Sequence, residues 1–184
     1  MQGLSKFLVP SVLAMIWLTA APFSAAAETG KVNWNPPPKL SLKALGQVKI
    51  GMTVKEVKAL FNKVTVIDHS DGQECFYLEP QGVPQGAAFM ITDGRVSRID
   101  IDSTQYASLS GAKIGQTEQQ VMKLYTNQLK VSRHHYDEKG HYLTFVPKDS
   151  RDKNYRMLFE TDGRKITTFR AGKLPEVEFV EGCL

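Results

Sequence analysis

Residues 134–141 read HHYDEKGH, three histidines with Asp137 and Glu138 among them. Imidazole nitrogens and carboxylates are common metal donors, so the stretch raises the question of a zinc or copper site. If Asp137 to Gly140 forms a hairpin turn, Tyr136 stands opposite His141, His135 opposite Tyr142 and His134 opposite Leu143. Alternation then puts His134 and His141 on the face of Leu143 and Phe145 and leaves His135 on the other. Three imidazoles drawn from two faces cannot converge on one ion, so the expectation is no metal site. A metal-dependent enzyme built on this hairpin is the rival reading. The same register sets Arg133, His135, Tyr142 and Thr144 on the face away from Leu143 and Phe145. Tyr and Arg are enriched in interface hot spots, which makes these four the candidate partner-binding residues. The alternative is a solvated hairpin.

Other chemistry-bearing residues are less well placed. Asp68, His69, Ser70 and Asp71 are the residue types of a hydrolase triad. Triad members converge from separate elements, which neighbours in one turn cannot do. Asp100 and Asp102 share a strand face about 7 Å apart, a spacing that a solvated strand also produces. The chain has no Gly-x-Ser-x-Gly, no phosphate-binding glycine loop and no His-Glu-x-x-His. No catalytic residue and no cofactor is assigned, and the expectation is a protein that is not an enzyme.

The two cysteines, Cys75 and Cys183, are far apart, and neither has a second Cys or His at ligand spacing. In an oxidising compartment an even pair reads as a disulfide, here one tying the C-terminal tail to the first half of the chain. Two separate thiols are the rival.

That compartment is suggested by the start of the chain. Lys6 precedes an apolar run from Phe7 to Ala21, and Ala25-Ala26-Ala27 stands before Glu28. This is the grammar of a cleavable secretory signal over residues 1–27, cut near Ala27. The run is shorter than the ~20 residues of a spanning helix, so no transmembrane segment is expected in the mature chain. No cysteine sits at the cleavage point to carry a lipid anchor. The expected location is periplasmic or secreted. The 23 basic and 19 acidic residues give a formal net charge of +4, and the basic ones are interspersed with acids. There is no basic stripe to bind nucleic acid.

The elements that must position these residues follow from a near-repetition. Residues 49–57 read KIGMTVKEV and residues 113–121 read KIGQTEQQV. Thr53 with Glu56, and Thr117 with Gln120, have the spacing of a capping box, each followed by apolar residues at helical spacing. Shorter candidate helices precede them, Ser41 to Leu45 before Gly46 and Thr104 to Leu109 before Gly111. Four strand-like runs follow in each half, Val64 to Asp102 and Leu129 to Arg170, and the turn TDGR occurs at 92–95 and 161–164. Val177 to Val180 reads as a further strand. Residues 28–39, with three consecutive prolines and Trp34, read as a semi-extended lead segment, either a linker or a polyproline ligand anchored by Trp34. Residues 40–184 then form one domain of two repeats, about 40–102 and 103–184. The expected fold is α+β: tandem helix-turn-helix plus antiparallel-sheet repeats, with the helices packed on one face.

The turn Ile50-Gly51-Met52-Thr53 with Val57 after it, then hairpins with Asp-Gly turns, resembles the BamE (SmpA) fold of outer-membrane assembly factors. The doubling is similar to beta-lactamase inhibitory protein. The chain departs from the first in lacking an anchoring cysteine and having two copies, and from the second in placing one cysteine in each half. The resemblance implies a non-catalytic sheet offering one face to a protein partner. The function expected is thus a protein-binding or scaffold module of the cell envelope, or alternatively an inhibitor of a periplasmic or secreted enzyme.

Overall fold

The computed structural model describes residues 31–67, 75–126 and 128–183. In chain order the elements are β1 (Ala44–Leu45), β2 (Val48–Lys49), α1 (Val54–Leu60), β3 (Lys63–Ile67), β4 (Cys75–Gln81), β5 (Ala87–Thr92) and β6 (Arg95–Ile101). Then come α2 (Glu118–Leu124), β7 (Leu129–Arg133), β8 (His141–Phe145), β9 (Tyr155–Thr161) and β10 (Ile166–Lys173). β3 to β10 form one eight-stranded antiparallel sheet in the order β3-β4-β5-β6-β10-β9-β8-β7. Each half contributes a four-strand meander, and the halves meet through their last strands, with Asp100 opposite Arg170 and Ile99 opposite Ala171.

This corrects the expected fold class. The described residues are mostly antiparallel sheet with two seven-residue helices, and among them there is no helix-turn-helix pair. Ser41 explains the first missing helix: its Oγ accepts from Ala44 N–H (2.9 Å) and donates to Ala44 O (3.0 Å), closing a local turn. Such side-chain bonds compete with a helix, and five residues cannot repay helix nucleation. Gly46 at φ +57° then reverses the chain so that Ala44 pairs with Lys49. Residues 104–109 are drawn off similarly, with Leu40 N–H bonding Ala107 O and Leu109 N–H bonding Leu40 O. Val177 is not in a strand either; Glu176–Glu178 form a single 3-10 turn.

The two helices begin as their sequences dictate. Thr53 Oγ1 accepts from Glu56 N–H (3.3 Å) while Glu56 Oε2 accepts from Thr53 N–H (2.7 Å). Thr117 and Gln120 make the same exchange at 3.2 and 2.8 Å. Seven residues would not hold a helix in water. Each helix instead buries one valine completely, Val57 or Val121, a burial of about 1.5–3 kcal/mol apiece. Gly51 N–H bonds Val96 O in one half and Gly115 N–H bonds Ile166 O in the other, fixing each helix on its own meander.

The repeated TDGR does not make a repeated turn. Asp93 and Gly94, at φ +52° and +70°, form a two-residue hairpin loop between Thr92 and Arg95. In the second half Thr161 pairs with Ile166, so four residues intervene, and Asp162 Oδ1 accepts from Arg164 and Lys165 N–H. Val54 N–H bonds Gly94 O, but its counterpart Glu118 N–H bonds Arg164 O, one residue further along.

Candidate functional site

The face of the sheet turned from the helices carries Tyr77, Met90, Arg98, Asp100, Arg170, Glu160 and Tyr142, which face one another across successive strands. The C-terminal tail crosses it. Arg98 Nη1 donates to the carbonyls of Glu176 (2.9 Å) and Phe179 (2.8 Å), and Nη2 donates to Tyr77 Oη (2.6 Å). Arg170 Nε donates to Val177 O (2.7 Å), while Thr92 Oγ1 donates to Glu176 Oε1 (2.9 Å). The Cys75–Cys183 disulfide, spanning 108 residues, closes the strap. Val177, within the strap, is fully buried. Gly182 passes so close to Tyr77 that a Cβ there would lie 2.7 Å from Oη.

Beside the strap, at the other end of the same face, lies a groove of about 460 Å³. Glu79, Asp100, Asp102, Glu160, Thr168 and Arg170 line it. Arg98 Nε holds Asp100 Oδ2 at 2.9 Å, and Arg170 Nη1 is ion-paired with Glu160. The two arginines thus grip tail carbonyls with one part of the guanidinium and groove carboxylates with another. Burial pushes the Asp100 carboxyl up, opposed by the Arg98 charge. Burial, with the Asp100 charge next, pushes the Tyr77 phenol up to about 12. Gly86, at φ +95°, walls the groove against Asp102 and Ser103, where a side chain would collide.

The 134–141 hairpin is not as expected. Arg133, not Tyr136, pairs with His141, and Ser132 pairs with Tyr142. The connection is residues 134–140, because His134 accepts from the N–H groups of Tyr136 (3.2 Å) and Asp137 (3.1 Å) through Nδ1 and so caps a turn instead of joining the strand. A register displaced by three residues reverses the faces. Arg133 therefore shares the helix side of the sheet with His141 and Leu143, whereas Tyr142 and Thr144 lie on the opposite face. The four candidate partner-binding residues are not brought together. Tyr142 is buried under the stacked His134 ring, 4.6 Å between centroids, and accepts from His135 N–H. His135 sits in the exposed loop.

The histidines separate too. His141 Nδ1 is 2.8 Å from Glu118 Oε1 on the helix side, and His134 Nε2 is 3.6 Å from Glu160 on the other. Among the described residues no three His, Cys, Asp or Glu side chains are grouped to hold a metal ion. The Asp68 to Asp71 stretch and residues 1–30 lie outside the described residues. Among the described residues no helix is long and apolar enough to cross a membrane.

Sequence reasoning missed Arg98, Glu160, Arg170 and Glu176. A signal was present: Arg98, Asp100 and Asp102 alternate along one strand face with Ile99 and Ile101 between them. Charges at that spacing within an otherwise buried strand mark a polar face that something must satisfy.

No family model matches the chain, and no curated protein matches it. Among solved structures it is similar to the uncharacterized protein yfeY from Escherichia coli, at 15% identity and a TM-score of 0.47, over 73% of this chain and 99% of that one. It is also similar to an extracellular protein containing a SCP domain from Bacillus anthracis str. Ames, at 10% identity and a TM-score of 0.42. That match covers 68% of this chain and 44% of the other.

Proposed function

We propose that this protein is an exported, non-enzymatic module of the cell envelope that binds a protein partner on the sheet face beside the strapped tail. The supporting observation is the groove of about 460 Å³ that the strap leaves uncovered. Its charged walls are held in place by Arg98 and Arg170, which suits recognition of a fixed shape, while Asp100 and Glu160 are engaged in ion pairs. Export rests on the signal-like residues 1–27 and agrees with the disulfide, since such bonds persist in oxidising compartments. The resemblance of residues 50–57 to BamE-type envelope factors points the same way.

The test is photo-crosslinking in cells of the full chain, with a photoreactive residue at Gln85 on the groove or at Val131 on the helix side of the sheet. A protein adduct from Gln85 that is weak or missing from Val131 supports the reading. No protein adduct from Gln85, or the same adduct from both, overturns it.

A further inference from the structure

The two halves treat the end of their helix differently, and the difference describes a ligand. In the first half the lead segment docks there by two contacts. Val32 N–H donates to Leu60 O (2.9 Å), and two residues later the Trp34 indole stands edge-on to Phe61 (5.4 Å) and Phe89 (6.5 Å). In the second half, 64 residues further on, the receiving parts recur: Leu124 replaces Leu60, and Tyr125 replaces Phe61 and packs on Phe159 (5.5 Å). The contacts do not. Leu124 O accepts no hydrogen bond among the described residues. Where the indole would stand there is a hollow of about 320 Å³, lined by Leu109, Leu124, Tyr125, Phe145 and Met157, with Leu109 and Leu124 exposed. No charged residue lines it. Lys123, one residue before Leu124, is exposed and has no ion pair among the described residues.

We infer that the hollow is a docking site for an extended segment of a partner protein that carries a tryptophan flanked by acidic residues. The first half supplies the pose: a backbone N–H on Leu124 O, and two residues later an aromatic ring against Tyr125 and Phe145, covering Leu109 and Leu124. An aromatic anchor seated in an apolar recess is the usual centre of such a contact. This chain's own lead segment is not free to fill it, since Trp34 is buried in the first half. The acidic flank follows from Lys123, a cation beside a recess with no charge of its own; complementary charge there favours encounter and fixes the register. Ser110 stands where Gly46 lies under the Trp34 ring, so the incoming ring sits further out and meets a hydroxyl able to accept from its indole N–H. The hollow is on the helix side of the sheet, opposite the groove, and the contact is additional to the one proposed above.

The probe is acetyl-Val-Asp-Trp-Asp-Pro-amide, the sequence of residues 32–36 with aspartate for both asparagines. Its comparators carry alanine for tryptophan, or lysine for both aspartates. Each is titrated into the processed full chain and followed by side-chain methyl chemical shifts. The expected result is saturable shifts at Leu109, Leu124 and Met157, with binding at least ~10-fold weaker for the alanine peptide, as loss of a buried anchor implies. The lysine peptide should also bind more weakly than the probe. Leu109→Asp with Leu124→Asp should abolish binding, and Lys123→Glu should reverse the preference between the aspartate and lysine peptides. Both leucines are exposed, and Lys123→Glu serves if the double variant does not fold. No saturable shift, equal binding of the tryptophan and alanine peptides, a leucine variant that binds as the parent does, or an unchanged preference in Lys123→Glu would overturn the inference. So would a dimer of the processed chain in sedimentation that the leucine variant loses, which would assign the hollow to a second copy. None of these results bears on the Gln85 crosslink, so the hollow and the groove fail separately.

Discussion

The bottom of the first half is filled, and the bottom of the second is open. In the first half Trp34, 4% exposed, packs edge-on against Phe61 (5.4 Å), Phe89 (6.5 Å) and Tyr106 (6.2 Å). Its indole lies over Gly46, where a Cβ would come within 2.9 Å of Nε1, and the neighbouring Val32 N–H bonds Leu60 O at the end of α1. The matching positions in the second half are Leu109 for Leu45, Ser110 for Gly46 and Tyr125 for Phe61, each 64 residues later. There, a hollow of about 320 Å³ lies among Leu109, Leu124, Tyr125, Phe145 and Met157. Leu45 is fully buried, whereas Leu109 is 67% exposed. The same apolar residue at the same place thus does different work, because among the described residues the lead segment covers the first half and not the second.

The largest expected effect is loss of that cover. Trp34→Ala should destabilise by about 3–5 kcal/mol, and Leu45→Ala by about 2–5 kcal/mol, in chemical denaturation. Leu109→Ala should stay within about 0.5 kcal/mol of the parent, as exposed sites do. Similar losses at Leu45 and Leu109 would erase the distinction between the halves.

The strap is the second tie unique to one half, since Cys75 belongs to β4 and has no cysteine counterpart in β8. Changing Cys183 to Ser should cost about 2–4 kcal/mol and open residues 174–183 to proteases. The meanders should remain folded, so a tail still protected in the reduced protein would show that Arg98 and Arg170 hold it without the bond.

The helix caps should show where the halves agree. Thr53→Ala and Thr117→Ala should each cost about 1 kcal/mol. A large inequality between them would mean that the two capping boxes are alike only in geometry.

The smallest effect in energy is a spectroscopic one. Burial pushes the Tyr106 phenol up to about 12. A phenol whose folded pKa is raised contributes its stability in full below the ordinary tyrosine value near 10 and loses it as pH climbs towards 12. In Trp34→Ala, Tyr106 loses part of its cover, so its phenolate absorbance should appear at lower pH, while that of Tyr77, on the other face, should not move. An unchanged Tyr106 titration would mean that the indole does not shield it.

These comparisons also show what the chain disclosed in advance. The capping boxes were legible because Thr and Glu or Gln act within four residues, and the Asp93-Gly94 turn because few residues accept positive φ at both positions. The disulfide was legible from an even pair of cysteines together with the signal-like start of the sequence. The hairpin register failed because His134 took the backbone-capping part usually given to Asn or Asp. The early helices failed on the hydroxyl of Ser41 and on the ladder that ties Leu40 to residues 107–109. Trp34 was read as linker or ligand because prolines mark an extended segment but not what its side chains cover. The groove was least visible of all, since Arg98 and Arg170 are satisfied largely by tail carbonyls, which sequence does not display.

The seam between β6 and β10 has a temporal consequence. A chain emerging amino-terminus first completes β6 at Ile101, yet its partner strand, β10, does not end until Lys173. For some seventy residues of emergence the first meander presents a strand edge whose backbone N–H and C=O groups have no neighbour, the kind of edge that pairs with other chains. A chain stopped at residue 160 should accordingly aggregate or recruit a holding factor, and one carried through to 184 should not. Equal solubility of the two would show that the first meander protects its own edge.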